Sequence, residues 1–317
     1  MTHSLPLACI FGGTGFIGRQ VVRELSAKGY RLKIATRVPE RAYELKTCGT
    51  VGQIVPVFCD YTANSVAQAV QGCDLVVNCV GILFERGRRN TFQKIHAELP
   101  GLIAKACYES GVKKYIHLSA LGVDRAQSKY AQSKKAGEEA AQKAFPSVTI
   151  LRPSIVFGAG DGFFNLFARL SLFMPVLPLI GGGHTRFQPV FVGDVADAVV
   201  KASTYPECAG HIYELGGPDI YTFRELYDLM FRHTGRPRPL ISLPWGIAKI
   251  QGTLMGFLPR PLLTADQVET LKTDNVVSSG ALTLRDLGIE GTALSTILPT
   301  YLSRFRPGGR FGDKKAA

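Results

Sequence analysis

The sequence predicts an α/β fold, a doubly wound parallel sheet with a smaller C-terminal lobe, on three observations. A short apolar run at residues 7–11 breaks into four closely spaced glycines and resumes as an apolar-periodic helix. Strand-like and helix-like stretches then alternate up to residue 152, the pattern of a parallel sheet covered by helices on both faces. After Arg152-Pro153 phenylalanine, proline and glycine become dense, and the stretches shorten. The expected division is 1–152 for a dinucleotide-binding Rossmann domain and 153–305 for later sheet strands interleaved with a substrate or partner lobe. Residues 306–317 are expected to be a basic flexible tail.

The glycines come first. Residues 9–18 read CIFGGTGFIG, which fits both Gly13-x-Gly15-x-x-Gly18 and Gly12-x-x-Gly15-x-x-Gly18. A strand turning on glycines into a helix points backbone N–H groups and the helix dipole at a pyrophosphate. Side chains there would block the phosphate or force strained dihedrals. Further strands are expected at 31–36, 54–58, 75–79, 115–118 and 148–151, with helices at 15–28, 64–70, 91–110 and 127–144. Gly29, Gly72 and Gly111 stand where those segments should stop. In the second half, Thr222 and Glu225 form a T-x-x-E capping box opening a helix toward His233. Residues 245–257 and 295–305 are further helix candidates.

Composition narrows the setting. Seven cysteines are scattered through apolar runs without a C-x-x-C pair, the pattern of reduced buried thiols rather than a disulfide framework or a metal site. The histidines lack ligand spacing, so no metal is expected. The apolar stretches 75–84 and 170–180 fall short of the ~20 residues of a membrane span. With a glycine loop starting at Gly12, no presequence is expected before the first strand. Basic residues outnumber acidic ones, 37 to 25, for a net charge of +12. Such a surface suits anionic lipid or an acidic partner. No nucleic-acid module is present, and no nucleic-acid partner is expected.

The second strand ends at Ala35-Thr36-Arg37, where an NAD site usually carries an acid for the ribose hydroxyls. Here stand Arg37, with Arg41 one helical turn on and Lys33 on the preceding strand. Guanidinium groups suit a 2′-phosphate, so NADP(H) is favoured over NAD(H). Asp60, at the end of the third strand, is placed either to bond an adenine amino group or to close a turn. Tyr130 and Lys134 share one helix face at i and i+4. An ammonium beside a phenol favours the phenolate, making the tyrosine usable in acid–base chemistry. Ser119, at the end of the fifth strand, can bond a substrate carbonyl.

With these residues in place, the whole chain resembles the extended and atypical short-chain dehydrogenase/reductase superfamily, the NAD-dependent epimerase/dehydratase type. The matching pieces are GGTGFIG, Asp60, NCVG at 78–81, Ser119, Tyr130-x-x-x-Lys134, LRPSIVFGAGD at 151–161 and QPVFVGDVADAV at 188–199. It is similar, more narrowly, to the nucleotide-binding accessory subunits of respiratory complex I and their bacterial relatives. KKYIHLSALG, SKYAQSKKAGEE, the 188–195 segment and DLGIEGTAL carry that likeness. The resemblance implies a cofactor site made of Gly12, Gly13, Thr14, Gly15, Phe16, Ile17, Gly18, Arg37, Arg41, Asp60, Tyr61, Val80, Gly81, Tyr130, Lys134 and Pro153. It implies catalytic roles for Ser119, Tyr130 and Lys134 if the protein turns over.

Two departures bear on turnover. His96 stands where active relatives often have asparagine in a proton relay, and Phe157 replaces a frequent tyrosine. Two functions therefore stay open. One is an NADP(H)-binding accessory or assembly subunit of complex I, its cofactor mainly structural and its surface in peripheral contact with a membrane. The other is a free-standing NAD(P)H-dependent reductase, dehydrogenase or sugar-nucleotide epimerase. In that case Phe163, Phe164, Phe167 and Leu170 are candidates for an apolar substrate pocket. The expected location is cytoplasmic, on the cytoplasmic face of a bacterial inner membrane, or in the mitochondrial matrix after processing.

Overall fold

A computed structural model of the chain describes residues 5–259 and 261–309. The expected tail thus lies outside the described residues from 310 onward. In the first half β1 (Leu7–Phe11), α1 (Phe16–Ala27), β2 (Arg31–Thr36), β3 (Ile54–Phe58), α2 (Ala63–Val70) and β4 (Leu75–Asn78) follow in order. Then come α3 (Leu99–Glu109), β5 (Lys114–Leu118), α4 (Lys129–Ala144) and β6 (Thr149–Pro153). The second half continues with β7 (Val156–Phe157), α5 (Phe164–Phe173), β8 (Leu177–Ile180), β9 (Arg186–Phe187), β10 (Val190–Phe191) and α6 (Val192–Thr204). It closes with β11 (Ile212–Leu215), β12 (Tyr221–Thr222), α7 (Phe223–Thr234), β13 (Leu240–Leu243), α8 (Trp245–Met255), α9 (Ala265–Thr270) and α10 (Leu294–Leu302).

Seven of these strands form one parallel sheet in the order β11-β6-β5-β4-β1-β2-β3. This is the expected Rossmann-type doubly wound sheet. Its order reverses between β1 and β4, and in such sheets that switch point opens a crevice at the carboxyl ends of the strands. Val21, Val22 and Leu25 of α1 join Val195 and Val199 of α6 on one face of the sheet. Val66 and Val70 of α2, Ile103 and Cys107 of α3, and Ala141 of α4 cover the other. Burial on both faces of the central strands β1 and β4 explains why they read as nearly unbroken apolar runs.

Local rules account for the boundaries. Asn78 Oδ1 accepts from the Val80 N–H at 3.0 Å and turns the chain out of β4 one residue before the expected end. Residues 91–110, expected as one helix, divide into a π-helical turn at Gln93–Glu98 and α3. The cause is Pro100, which has no N–H to return to the His96 carbonyl four residues back. That carbonyl faces Gly137 of α4, where a Cβ would overlap the His96 oxygen. The capping box at Thr222 and Glu225 makes both reciprocal bonds and opens α7.

The lobe has its own core. Phe163, Phe167, Phe223 and Tyr227 stack through it, with ring centroids 5.1 Å apart for Phe163–Phe167 and 4.9 Å for Phe167–Tyr227. Phe164 is fully buried among them, so these rings fill the lobe rather than line a cleft. Asn275 ties lobe to sheet: its Oδ1 accepts from Ser154 Oγ at 2.6 Å, and its Nδ2 donates to the Leu121 carbonyl at 3.0 Å.

Candidate functional site

The glycine turn lies at the switch point. Gly12 has φ 74°, and a Cβ there would stand 2.8 Å from the Cys79 carbonyl carbon and 2.9 Å from Val80 N. Only glycine lets β1 end this close to the β4 loop. A Cβ on Gly18 would overlap the Gly12 carbonyl oxygen, so the first turn of α1 packs directly under the loop. Gly13 is buried, with its absent Cβ 3.0 Å from Ile34 Cγ2. Gly15 differs. It is exposed, caps α1 without a side-chain bond, and its Cβ position meets only the Gly12 oxygen at 3.2 Å. The first turn of α1 carries no acidic residue. Thr14, Phe16 and Ile17 are half-buried around this opening. The cradle is shaped for backbone contact with an anionic group, and the dinucleotide expected from the sequence fits it.

At the end of β2, Arg37 is exposed, donates to Asn90 Oδ1 at 2.7 Å and lies 5.3 Å over the Tyr61 ring. Tyr61 follows β3 and, among the described residues, is the one non-glycine with positive φ (70°). Burial pushes its phenol up to about 12. Asp60 Oδ1 accepts from Ser65 Oγ at 2.7 Å, Thr62 Oγ1 at 2.7 Å and Thr62 N at 3.1 Å. These bonds hold its carboxyl down at about 2, and they make it a turn former ahead of α2. All three of these bonds fall on Oδ1. Arg41 is exposed on the 3₁₀ turns Pro39–Cys48. Lys33 departs from the expectation: its Nζ donates to the Gln71 carbonyl at 2.8 Å and the Ala69 carbonyl at 3.3 Å, capping the end of α2.

The third cluster gathers at the ends of β4, β5 and β6. Ser128 Oγ accepts from Ala131 N, and Asp266 of α9 accepts from the N–H groups of Lys129 (2.7 Å) and Tyr130 (3.0 Å). Together they fix the start of α4, which carries Tyr130 and Lys134. Lys134 is buried and donates through Nζ to the Leu118 carbonyl at 3.1 Å. Burial pulls its ammonium down to about 8, with the nearby Glu138 carboxylate working against that shift. Burial also raises the Tyr130 phenol to about 12, so the expected lowering of its pKa by Lys134 is not what this arrangement produces. Gly81 is exposed, and a Cβ there would lie 3.5 Å from Lys134 Nζ. Val80 is half-buried beside it, and Pro153 is buried where β6 ends, its carbonyl accepting from Leu121 N at 2.9 Å.

Two buried side-chain atoms among the described residues lack a partner: Ser119 Oγ and His117 Nε2. They lie two residues apart on the β5 line, hence on one face. Asn78 Oδ1 is occupied by Val80 N, so its Nδ2 donates to His117 Nδ1 at 3.2 Å and leaves Nε2 as the orphan N–H. An orphaned hydroxyl and N–H in a buried polar corner suit a ligand carrying carbonyl, amide or hydroxyl groups.

His96 has a role that spacing did not disclose. Its Nε2 accepts from Ile82 N at 3.0 Å, and its Nδ1–H pairs with Ser133 Oγ at 3.1 Å. Burial, then the Lys134 ammonium and His117, hold it down at about 2. It is a neutral brace between the β4 loop and α4, stacked edge-on to Tyr130 at 5.2 Å. Asn90 and Asp266 also went unread, since their partners Arg37 and the Lys129 and Tyr130 N–H groups lie far off in sequence. Among the described residues no group of three or more His, Cys, Asp or Glu side chains is placed to hold a metal ion. No helix there is long and apolar enough to cross a membrane.

A family model, the NAD dependent epimerase/dehydratase family, matches residues 8–216. The protein named "NADH dehydrogenase (ubiquinone) 1 alpha subcomplex subunit 9, mitochondrial" from Arabidopsis thaliana is 35% identical, the match covering 97% of this chain and 80% of that protein. Its Mus musculus counterpart is 34% identical over 95% and 80%. Among solved structures, triphenylmethane reductase of Citrobacter sp. superposes with a TM-score of 0.75 at 20% identity, covering 94% of this chain and 99% of that one; it speaks for the fold alone. Sheet order, glycine turn and these matches agree: the chain belongs to the NAD dependent epimerase/dehydratase family, in the group that includes the 1 alpha subcomplex subunit 9 proteins.

Proposed function

We propose that this protein is an NADP(H)-binding accessory or assembly subunit of a respiratory NADH:quinone oxidoreductase of the complex I type, with the nucleotide mainly a structural ligand. The likeness to named subunits of that enzyme along nearly the whole chain supports the first part. The observation that carries the second is the state of the Tyr130 corner. His96, edge-on to Tyr130, has both ring nitrogens committed, Nε2 to Ile82 N and Nδ1 to Ser133 Oγ, and Lys134 donates to the Leu118 carbonyl, so neither stands free to relay a proton to or from the phenol.

In this reading Gly12, Gly13, Thr14, Gly15, Phe16, Ile17 and Gly18 cradle the pyrophosphate. Arg37, with Arg41 at its side, takes the 2′-phosphate, and Asp60 faces the adenine. Tyr61, Val80, Gly81 and Pro153 wall the site, while Tyr130 and Lys134 hold the nicotinamide ribose and Ser119 the carboxamide side. The nicotinamide, when bound, would supply hydride chemistry. Binding to the folded chain alone stabilises it by mass action. The protein works at the membrane periphery, alongside a membrane-bound enzyme.

Co-purification of the untagged protein from detergent-solubilised membranes tests this. Recovery with subunits of a respiratory complex, NADP(H) bound, is expected; recovery purely as a free soluble protein with NADPH-dependent carbonyl reductase activity would overturn it. The orphaned Ser119 hydroxyl, next in the chain to the Leu118 carbonyl that holds Lys134, favours that second reading, a free-standing NAD(P)H-dependent reductase, dehydrogenase or epimerase.

A further inference from the structure

A run of exposed apolar side chains lies on and after α8. Ile247, Ile250 and Leu254 are 56%, 64% and 67% exposed, and Phe257, at 85%, follows with Leu258 and Leu262. Ile247, Ile250 and Leu254 fall at i, i+3 and i+7, one stripe of the helix. The opposite stripe is Ala248 and Gly252, both buried. A Cβ on Gly252 would lie 2.7 Å from Ala265 N, so α8 is pressed by its small residues onto the start of α9. That packing fixes which way the apolar stripe faces: outward.

Charge says what it faces. From Leu229 to Ala265 the sequence contains no aspartate or glutamate, while Arg232, Arg236, Arg238, Lys249 and Arg260 supply five positive charges. An outward apolar stripe carrying Lys249 on its own helix and set, along the sequence, in an acid-free stretch matches an anionic bilayer surface, where acyl chains take the apolar groups and headgroups take the cations. A patch of this kind on a folded surface marks a contact site rather than ordinary scatter. We propose that the α8 face is the membrane-docking surface of this protein, laying Ile247, Ile250, Leu254 and Phe257 into the headgroup–acyl boundary of an anionic phospholipid layer. The face also reaches the candidate site through α9, whose Asp266 caps α4 one residue beyond the Gly252 contact.

Trp245, the chain's only tryptophan, begins α8 and reports on this helix alone. Full-length protein is floated with phosphatidylcholine vesicles containing phosphatidylglycerol and with pure phosphatidylcholine vesicles. Tryptophan quenching by acyl-brominated lipid is read in parallel. Binding to the anionic vesicles with quenching is expected, and the double variant Ile250→Asp/Leu254→Asp should weaken it about tenfold or more. Lys249→Glu should weaken it a few-fold, on the order of one surface charge. Both apolar positions are exposed, so an unchanged thermal unfolding curve will certify that the double variant is folded.

Absent binding, equal binding of the double variant, or equal partition onto both vesicle types would overturn the proposal. So would self-association that the double variant abolishes without vesicle binding, which would give the face to a second copy. The assay contains no other subunit, so its failure leaves the co-purification result standing on its own.

Discussion

The glycine turn and the Tyr130 corner both meet the loop after β4, at Val80 and Gly81, but are built from different material. The turn is backbone: Gly12 touches the Cys79 carbonyl, Gly18 sits under Gly12, and no side chain caps α1. The corner is side chains withdrawn from water: Lys134, His96, His117 and Ser119 are all buried, and two of their polar atoms are orphaned. Sterics set the turn, so it accepts an anion whatever the pH near neutrality. Desolvation sets the corner, so its charges sit in unfavourable states until something polar arrives. A binding function needs only the first; a fast enzyme needs the second retuned.

The sharpest break of this contrast uses two glycines of the same turn. Gly18→Ala should cost on the order of 3 kcal/mol of stability, because its Cβ meets backbone that cannot move aside. Gly15→Val should stay folded, losing about 1 kcal/mol at the cap, yet abolish nucleotide binding, because its side chain fills the open side of the cradle. Thermal unfolding and nucleotide titration of both separate the roles. Binding retained by folded Gly15→Val would show that the turn is not the cradle.

Next is Lys134→Met, which tests the desolvated side. A base whose folded pKa lies near 8 instead of 10.5 is protonated at neutral pH at the fold's expense. That penalty is complete below about 8 and gone above 10.5. The methionine variant should therefore be more stable without nucleotide by about 2 kcal/mol at pH 7, after allowing for the lost Leu118 bond. The difference should close as pH rises from about 8 to 10.5. Its nucleotide affinity should fall, the ribose having lost its ammonium. A pH-independent stability difference would contradict the buried charge.

Arg37→Ala should weaken NADPH about tenfold more than NADH, the worth of a charge-assisted pair with a phosphate. Equal affinities of the unmodified protein for the two nucleotides would remove the 2′-phosphate role altogether. Tyr130→Phe should have the smallest effect, changing NADP(H) affinity and recovery with the membrane complex by less than about twofold, since one hydroxyl is a modest contact. A large loss of measurable carbonyl reduction in that variant, with assembly intact, would make the protein an enzyme.

The sheet and the glycine turn were legible because their causes are local: apolar runs, glycines and a capping box act within a few residues. Even the break before α3 has a local sign, Pro100 in KIHAELPG, though its consequence, an open His96 carbonyl seated against Gly137, does not. Arg37 was legible as a charge, but its hold on Asn90 spans a loop no periodicity describes. Lys33 misled because strand position fixes where a side chain starts, not which helix end it reaches. The Tyr130–Lys134 spacing was read correctly as one face. The sign of the phenol shift was not, because i,i+4 proximity says nothing about how dry the corner is.

One feature of the sheet constrains how the molecule can be taken apart. Its seventh strand, β11, comes from beyond the first part of the lobe and lies against β6 in parallel register, Ile212 beside Ile150 and Leu215 beside Pro153. A fragment ending near residue 152 would leave β6 as an unpaired edge, its side chains buried in the native sheet and its hydrogen-bonding groups bare. Such a fragment would tend to pair with other chains rather than stand as a free nucleotide-binding module. The shortest piece able to close the sheet must run through Leu215, carrying much of the lobe with it.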